Sequence, residues 1–159
     1  MLLRLIAAGT RLPNWVNEGY EEYAARLTAD YRLELKEIAL GPRSGGNAQQ
    51  AIAKEGERML AALPSSAQSS QHIVALQVTG RAMTSEQLAR FLEARARDGR
   101  DVAFLIGGPD GIAPEVDARA ETRWSLSALT LPHGLARVMV AEALYRAVSI
   151  IKGHPYHRA

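Results

Sequence analysis

Three stretches of the chain carry residue types that do chemistry. Leu105-Ile106-Gly107-Gly108-Pro109-Asp110-Gly111 follows an apolar segment and is rich in glycine, which permits positive φ and lets backbone amides approach a ligand closely. It lacks the Lys-Ser/Thr ending of a phosphate-binding P-loop and does not fit G-x-G-x-x-G. Two readings stand: a cradle of backbone amides, or a tight Gly-Pro turn. Ser125-Leu126-Ser127-Ala128-Leu129-Thr130-Leu131-Pro132-His133-Gly134 mixes small hydroxyl residues with apolar ones before Pro and Gly redirect the chain. It reads either as a wrap around a flat apolar ligand, with backbone hydrogen bonds to the ligand's edges, or as a short core strand and a turn. The tail Gly153-His154-Pro155-Tyr156-His157-Arg158-Ala159 offers a ring for stacking, a guanidinium fork for phosphate and imidazoles that titrate near neutrality. The plainer alternative is a frayed, solvated end.

Other chemistries lack their residues. With no cysteine there is no thiol nucleophile, disulfide framework or Cys-based metal site. The two tail histidines have neither i, i+4 helical spacing nor a nearby carboxylate, so no metal is expected. No G-x-S-x-G elbow marks a serine hydrolase.

The elements that must position these stretches follow from periodicity. Residues 2–8 read as a buried strand closed by Gly9, and Trp15 to Leu27 as an amphipathic helix with Trp15, Val16, Tyr20, Tyr23, Ala24 and Leu27 on its apolar face. Residues 31–40 alternate as an imperfect strand, and Pro42 to Asn47 form a basic, Gly-rich loop. Asn47 caps a helix from Ala48 to Leu63 that Pro64 stops, and the polar run from Pro64 to Gln71 is a surface loop. A strand over His72 to Val78 precedes the capping box Thr84-Ser85-Glu86-Gln87 and a helix to Asp98. Then come a buried strand over Asp101 to Ile106, a short helix over Pro114 to Glu121, a short apolar segment over Ser125 to Leu131 and a long helix over Leu135 to Lys152. Strands alternating with helices predict an α/β fold with a mostly parallel sheet flanked by helices, and ligands beyond the carboxyl ends of the strands.

Length and charge bound the partners. The 159 residues fit one domain spanning 1–159, with 47% hydrophobic and 23% charged residues, as in folded globular chains. The amino terminus has too short an apolar run, broken by Arg4, for a signal peptide, and nowhere does the chain hold the ~18 consecutive apolar residues of a membrane helix. The expectation is a cytoplasmic protein with no membrane partner. The net charge is only +2, but its distribution is uneven: residues 1–119 hold 14 basic and 15 acidic groups, residues 120–159 hold 5 basic and 2 acidic. The average charge argues only weakly for a polyanionic partner.

In order, LIGGPDG, WSLSALTLPHGLARVMVAEALYRA and the terminal GHPYHR, together with LIAAGTRLPNWV at the start, closely resemble the RlmH family of SPOUT-class methyltransferases. That family modifies a pseudouridine of bacterial large-subunit (23S) ribosomal RNA at N3. The resemblance covers nearly the whole chain. It implies a parallel α/β sheet whose carboxyl-terminal part is tied in a trefoil knot, a rare exception to the avoidance of threading. It also implies a homodimer, S-adenosyl-L-methionine as cofactor, and an RNA site completed across the dimer interface on the assembled ribosome.

Carried onto this sequence, the cofactor loops fall on Leu76, on Gly108 and on Ser127, Ala128, Leu129, Thr130, Leu131 and Pro132. Leu76, Leu129 and Leu131 suit the faces of an adenine, and backbone groups around Gly108 and Thr130 suit its polar edge. His154, Tyr156, His157 and Arg158 match the family's terminal motif, placed near the methyl acceptor. Arg158 is expected to hold a phosphate or a base carbonyl, Tyr156 to stack on or hydrogen-bond the base, and His154 or His157 to help remove the N3 proton. His133 is read either as that base or as a cap of the last helix, Glu142 and Arg146 as an intrahelical pair. The dimer surface is expected on Val138, Leu144, Tyr145 and Val148. Two alternatives remain: a non-catalytic RNA- or ribosome-binding knot protein, and a SPOUT methyltransferase acting on tRNA.

Overall fold

The computed structural model describes residues 1–27, 29–43, 45–63 and 71–158. Five strands form one parallel sheet: β1 (Leu2–Ala8), β2 (Arg32–Ile38), β3 (Gln71–Ala82), β4 (Asp101–Ile106) and β5 (Thr122–Ser125), in the order β2-β1-β4-β3-β5. The helices are α1 (Asn14–Ala24), α2 (Ala48–Ala62), α3 (Ser85–Arg97), α4 (Pro114–Asp117) and α5 (His133–Lys152).

Side chains that alternate along a strand must face opposite sides of the sheet, and both sides are covered. Leu3, Leu5 and Ala7 of β1, with Val102, Phe104 and Ile106 of β4, pack with α1, α3 and α5. Ile6, Ala8, Ala103 and Leu105 point the other way and pack with Met59 of α2 and Val116 of α4. Two-sided burial explains why β1 and β4 read as continuous apolar runs. The strand order reverses direction at β1 and β4, the kind of switch point where parallel sheets open a crevice at their carboxyl ends.

Local signals set several boundaries. The Asn47 side chain accepts from the Gln50 amide at 3.3 Å. The box at α3 is complete, with the Gln87 amide donating to Thr84 Oγ1 at 3.0 Å and the Thr84 amide to Gln87 Oε1 at 2.8 Å. Gly153 ends α5 at φ 69°, and His154 and Gly153 donate back to the Ser149 and Ile150 carbonyls at 2.8 and 3.2 Å, a Schellman closure.

Other boundaries differ from the periodicity. Helix α1 stops at Ala24 rather than Leu27, because Ala25, Arg26 and Leu27 close into turns that bring the buried Leu27 under the sheet edge. Trp15, expected on the apolar face, is 56% exposed. Strand β3 runs four residues past Val78, since a bulge at residues 77–80 lets Arg81 and Ala82 pair again with β5. Helix α4 ends at Asp117 instead of Glu121, because the Glu121 amide leaves to bond the Ile73 carbonyl and start β5. The strand expected within Ser125–Leu131 lies earlier, at Thr122–Ser125, and residues 126–132 are loop. There Ser125 Oγ donates to the Ser127 carbonyl and the Leu129 amide to Ser127 Oγ, so side chains take backbone groups that a strand would use. Helix α5 begins two residues early, at His133. The tail is not frayed: Pro155–Arg158 form a single 3-10 turn. The polar loop read over Pro64 to Gln71, the stop at Pro64 and the terminal Ala159 lie outside the described residues, Gln71 excepted. Among the described residues no helix is long and apolar enough to cross a membrane.

The capping box sits at the start of α3, with Thr84 exposed. Thr84→Ala is expected to cost about 1 kcal/mol, read as a lower urea midpoint with an unchanged m-value.

Candidate functional site

The carboxyl ends of β3, β4 and β5 open into a cavity of about 470 Å³, within the usual range for small-ligand sites. Its walls are three loops and the start of α5. Leu76 to Thr79 come from the bulged part of β3, Ile106 to Pro109 with Gly111 and Ile112 from the glycine-rich turn, Leu126, Ser127 and Leu129 to Pro132 from the segment after β5, and His133 and Ala136 from α5. Of the residues expected to hold a cofactor, Leu76, Gly108, Ser127, Leu129, Thr130, Leu131 and Pro132 line this one cavity. Ala128 does not; it is exposed beside them. Leu129 is 72% exposed at the cavity's rim.

The glycine segment is a tight Gly-Pro turn. The Gly111 amide donates to the Gly108 carbonyl at 3.0 Å, closing a turn with Pro109 at its second position. A Cβ on Gly107 would lie 2.6 Å from the Gly111 backbone, so no other residue fits there. A Cβ on Gly108 would stand 2.8 Å from Glu55 Oε1 and 3.1 Å from Leu40 Cδ2. The turn is thus tight, and its backbone also forms a cavity wall.

Behind Gly108 lies a carboxylate that sequence reasoning missed. Glu55, on α2, is 3% exposed. Its Oε2 accepts from the Gly41 amide at 2.9 Å and from Arg43 Nη1 at 2.7 Å, and Oε1 accepts from Arg43 Nη2 at 3.3 Å. Arg43 Nε also donates to Asp110 Oδ2 at 2.9 Å. Hydrogen bonds to Glu55 and then Asp110 push the Arg43 pKa upward. The basic loop after β2 is thereby pinned to the turn after β4, over 67 residues of sequence.

On the other side, His133 begins α5 and faces the cavity. Its Nδ1 lies 3.2 Å from the Gly107 carbonyl and its Nε2 2.9 Å from Arg137 Nη2. A carbonyl and a guanidinium can both be satisfied only by a neutral ring, with Nδ1–H donating to Gly107 and Nε2 accepting from Arg137. Burial, then the neighbouring Arg137 charge, lower the His133 pKa below the ordinary value. Both nitrogens are therefore committed, which disfavours His133 as the proton acceptor. Arg137 is fully buried; Nη1 donates to Glu37 Oε2 at 2.6 Å and Nη2 to the Gly9 carbonyl at 3.3 Å. The available signal was one arginine inside the apolar run Leu135 to Val140.

The tail lies elsewhere on its own chain. Tyr156 hydroxyl donates to Glu142 Oε1 at 3.1 Å, its ring centroid stands 4.5 Å from that of Tyr145, and the Arg146 guanidinium covers it at 4.9 Å. Burial, and then Glu142, push the Tyr156 pKa up to about 12, so the phenol stays protonated. Glu142 and Arg146 form the expected intrahelical pair, Nε to Oε1 at 2.9 Å. None of His154, Tyr156, His157 or Arg158 lines the 470 Å³ cavity. A smaller cavity of about 310 Å³, sharing the Trp124 and Leu126 walls, opens toward Tyr23, Met83 and Glu142.

Comparison with known proteins agrees with this layout. The family model described as "Predicted SPOUT methyltransferase" matches residues 1–157. The chain is 53% identical, over the whole of both proteins, to the "Ribosomal RNA large subunit methyltransferase H" of Alkalilimnicola ehrlichii. It is 52% identical to the protein of the same name from Pseudomonas aeruginosa strain LESB58, across 99% of this chain and 100% of that one. Among solved structures, a probable methylase family protein from Haemophilus influenzae Rd KW20 superposes with a TM-score of 0.54 at 15% identity, over 98% of this chain and 69% of that one. A putative methylase family protein from Neisseria gonorrhoeae gives 0.51 at 15% identity, over 90% and 81%. At such identity the two structures show a shared fold and nothing further.

A buried histidine, His72, and a half-buried one, His133, give the fold a pH signature. His133 as above, and His72, whose Nε2 lies 2.8 Å from Thr122 Oγ1, have pKa values lowered from the ordinary 6.5, chiefly by burial. The unfolded chain then binds more protons than the folded one, so stability is full above about pH 6.5 and falls as the pH drops through that value. Calorimetry is expected to show Tm lower by about 3 °C or more at pH 5.5 than at pH 7.5. Replacing His72 with Gln is expected to shrink that difference.

Proposed function

The chain belongs to the SPOUT methyltransferase family, and from that premise we propose that it transfers the methyl group of S-adenosyl-L-methionine to N3 of a pseudouridine in large-subunit ribosomal RNA. The substrate is the assembled bacterial ribosome in the cytoplasm, and the working form is a homodimer of one-domain chains with the family's trefoil knot in the carboxyl-terminal part. One observation carries this reading. The cofactor residues expected from the resemblance, Ala128 excepted, are spread over more than 50 residues of sequence and line a single cavity at the sheet's carboxyl edge, in a chain whose full length is 53% identical to a ribosomal RNA large subunit methyltransferase.

The residues present fit the cofactor. Leu76, Leu129 and Leu131 offer apolar contact to a flat purine, while the Gly107–Gly108 backbone, which has no room for a Cβ, brings main-chain groups to its polar edge. Bound there, S-adenosyl-L-methionine supplies an electrophilic methyl group on a sulfonium that needs little further activation. The work left to the protein is to align the acceptor, remove the N3 proton and hold the charge that develops on the ring. Arg158, exposed at the chain's end, is the group for a base carbonyl or a flanking phosphate. Tyr156, kept protonated by its burial and by Glu142, stacks or donates rather than accepts, and His154 or His157 takes the proton. Because the tail lies outside the cavity of its own chain, a homodimer in which each tail serves the partner's cavity fits best. Of the four residues expected at the dimer surface, Leu144 and Val148 are instead buried in the chain's own core; the half-buried Val138 and Tyr145, on the face of α5 that carries the tail, suit such an interface.

The decisive measurement is transfer of labelled methyl from S-adenosyl-L-methionine to unmodified assembled ribosomes, isolated large subunits and free rRNA, followed by nucleoside analysis. The expected product is N3-methylpseudouridine from assembled ribosomes; cofactor binding with no label on any of the three overturns the acceptor, and label on tRNA alone moves the reading to a tRNA enzyme. Arg158→Ala is expected to lower transfer more than tenfold with cofactor affinity unchanged, and a loss of no more than twofold would remove the tail from the mechanism. Gly108→Ala pushes a methyl toward Glu55 and is expected to weaken cofactor binding by about tenfold, close to 1.4 kcal/mol, read by calorimetric titration.

A further inference from the structure

Among the described residues Arg137 has the largest fully buried side chain, and a guanidinium out of water needs its charge balanced; its Nη1 and Nη2 are hydrogen-bonded while Nε has no partner. Its one carboxylate partner, Glu37, is a third exposed and sits near the end of β2. Its other contacts reach the Gly9 carbonyl after β1 and His133 Nε2 on its own helix. His133 in turn holds the Gly107 carbonyl at 3.2 Å. Since a peptide unit is planar, fixing that carbonyl fixes the plane of the whole Gly107–Gly108 unit, which forms a wall of the cavity. Gly9, Glu37 and Gly107 belong to three different strand ends, and all three are gathered by two side chains of α5.

We propose that Glu37, Arg137 and His133 form a positioning relay that sets the Gly107–Gly108 peptide for cofactor binding. His133 and Arg137 are then positioning residues, and neither exchanges a proton with the substrate. Arg137 dictates the tautomer: by donating to Nε2 it leaves the proton on Nδ1, the only form that can hold the Gly107 carbonyl. The inference rests on the cavity being the S-adenosyl-L-methionine site, and it adds what orients that site's backbone.

The geometry of the imidazole supplies a test. Asn at 133 places an amide N–H where Nδ1–H stands and so keeps a donor for Gly107, whereas Gln places its amide where Nε2 stands and loses it. Calorimetric titration with S-adenosyl-L-methionine, with kcat and KM for methyl transfer to ribosomes, is expected to show His133→Asn within about threefold of wild type in cofactor Kd. His133→Gln is expected to be weaker by tenfold or more, with kcat at saturating cofactor and its pH profile little changed. Arg137→Lys is expected to weaken cofactor binding three- to tenfold, and its combination with His133→Gln to add almost nothing, because both cut one chain of contacts. Glu37→Gln, at the half-exposed outer end, keeps the test open if a buried change does not fold, with at least a twofold weaker Kd expected. Folded His133→Gln and Arg137→Lys proteins with wild-type Kd overturn the relay. So do Asn and Gln variants that both lose kcat at intact affinity, which would make His133 a proton-transfer group. A wild-type chain that binds no S-adenosyl-L-methionine overturns the function and the relay together, whereas a binding wild type with unchanged variants overturns the relay alone.

Discussion

A charged group with no access to water organises the carboxyl edge of this sheet. Arg137 enters the core on α5 because the helix must lay its apolar face across β1 and β4, and at that position the guanidinium is entirely enclosed. Leaving it unpaired would cost several kcal/mol. The fold therefore brings Glu37, the Gly9 carbonyl and a neutral His133 to it. Each partner belongs to a different part of the chain, so meeting the needs of one side chain fixes how α5 docks and where the loops after β1 and β4 run.

Glu55 does the same from the opposite face of the sheet. Its carboxylate is enclosed on α2, takes the Gly41 amide and Arg43, and stands so close to Gly108 that a Cβ there would force it to shift. The Gly107–Gly108 peptide lies between the two buried charges, tied to His133 on one side and packed against Glu55 on the other. A cavity wall made of backbone has no side chain of its own to hold its shape. Here that rigidity comes from ionic groups behind it, which is how a preorganised ligand site is usually supported. The remaining wall, residues 126–132, keeps its shape through Ser125 and Ser127, whose hydroxyls occupy nearby backbone groups.

The carboxyl-terminal tail follows a different rule. It packs through aromatic and cationic contacts onto α5, with Tyr156 between Tyr145 and Arg146, and it turns away from the cavity of its own chain. Rings stacked with guanidinium groups keep much of their surface accessible, so the tail is ordered and still presents polar groups outward.

Much of this architecture is legible in the amino-acid sequence alone. Period-two and period-3.6 patterns locate the sheet's inner strands and most helices, because those signals arise from residues within one turn or one pleat of each other. The caps at Asn47 and Thr84 and the stop at Gly153 are legible for the same reason: donor and acceptor are three to five residues apart. The glycine turn and the residues gathered in the cavity are legible as motifs. What the sequence cannot decide are matters of long range. Periodicity misplaces β5 because its residues, Thr122 to Ser125, become a strand only by pairing with β3, and it assigns Trp15 to a core that its helix turns away from. Arg137 looks like an ordinary helical arginine, since nothing near it in sequence reveals that Glu37, 100 residues away, will neutralise it. Local hydrogen bonding and periodicity fix the elements; only the packed tertiary structure, by removing water from a charge, decides which distant groups must meet.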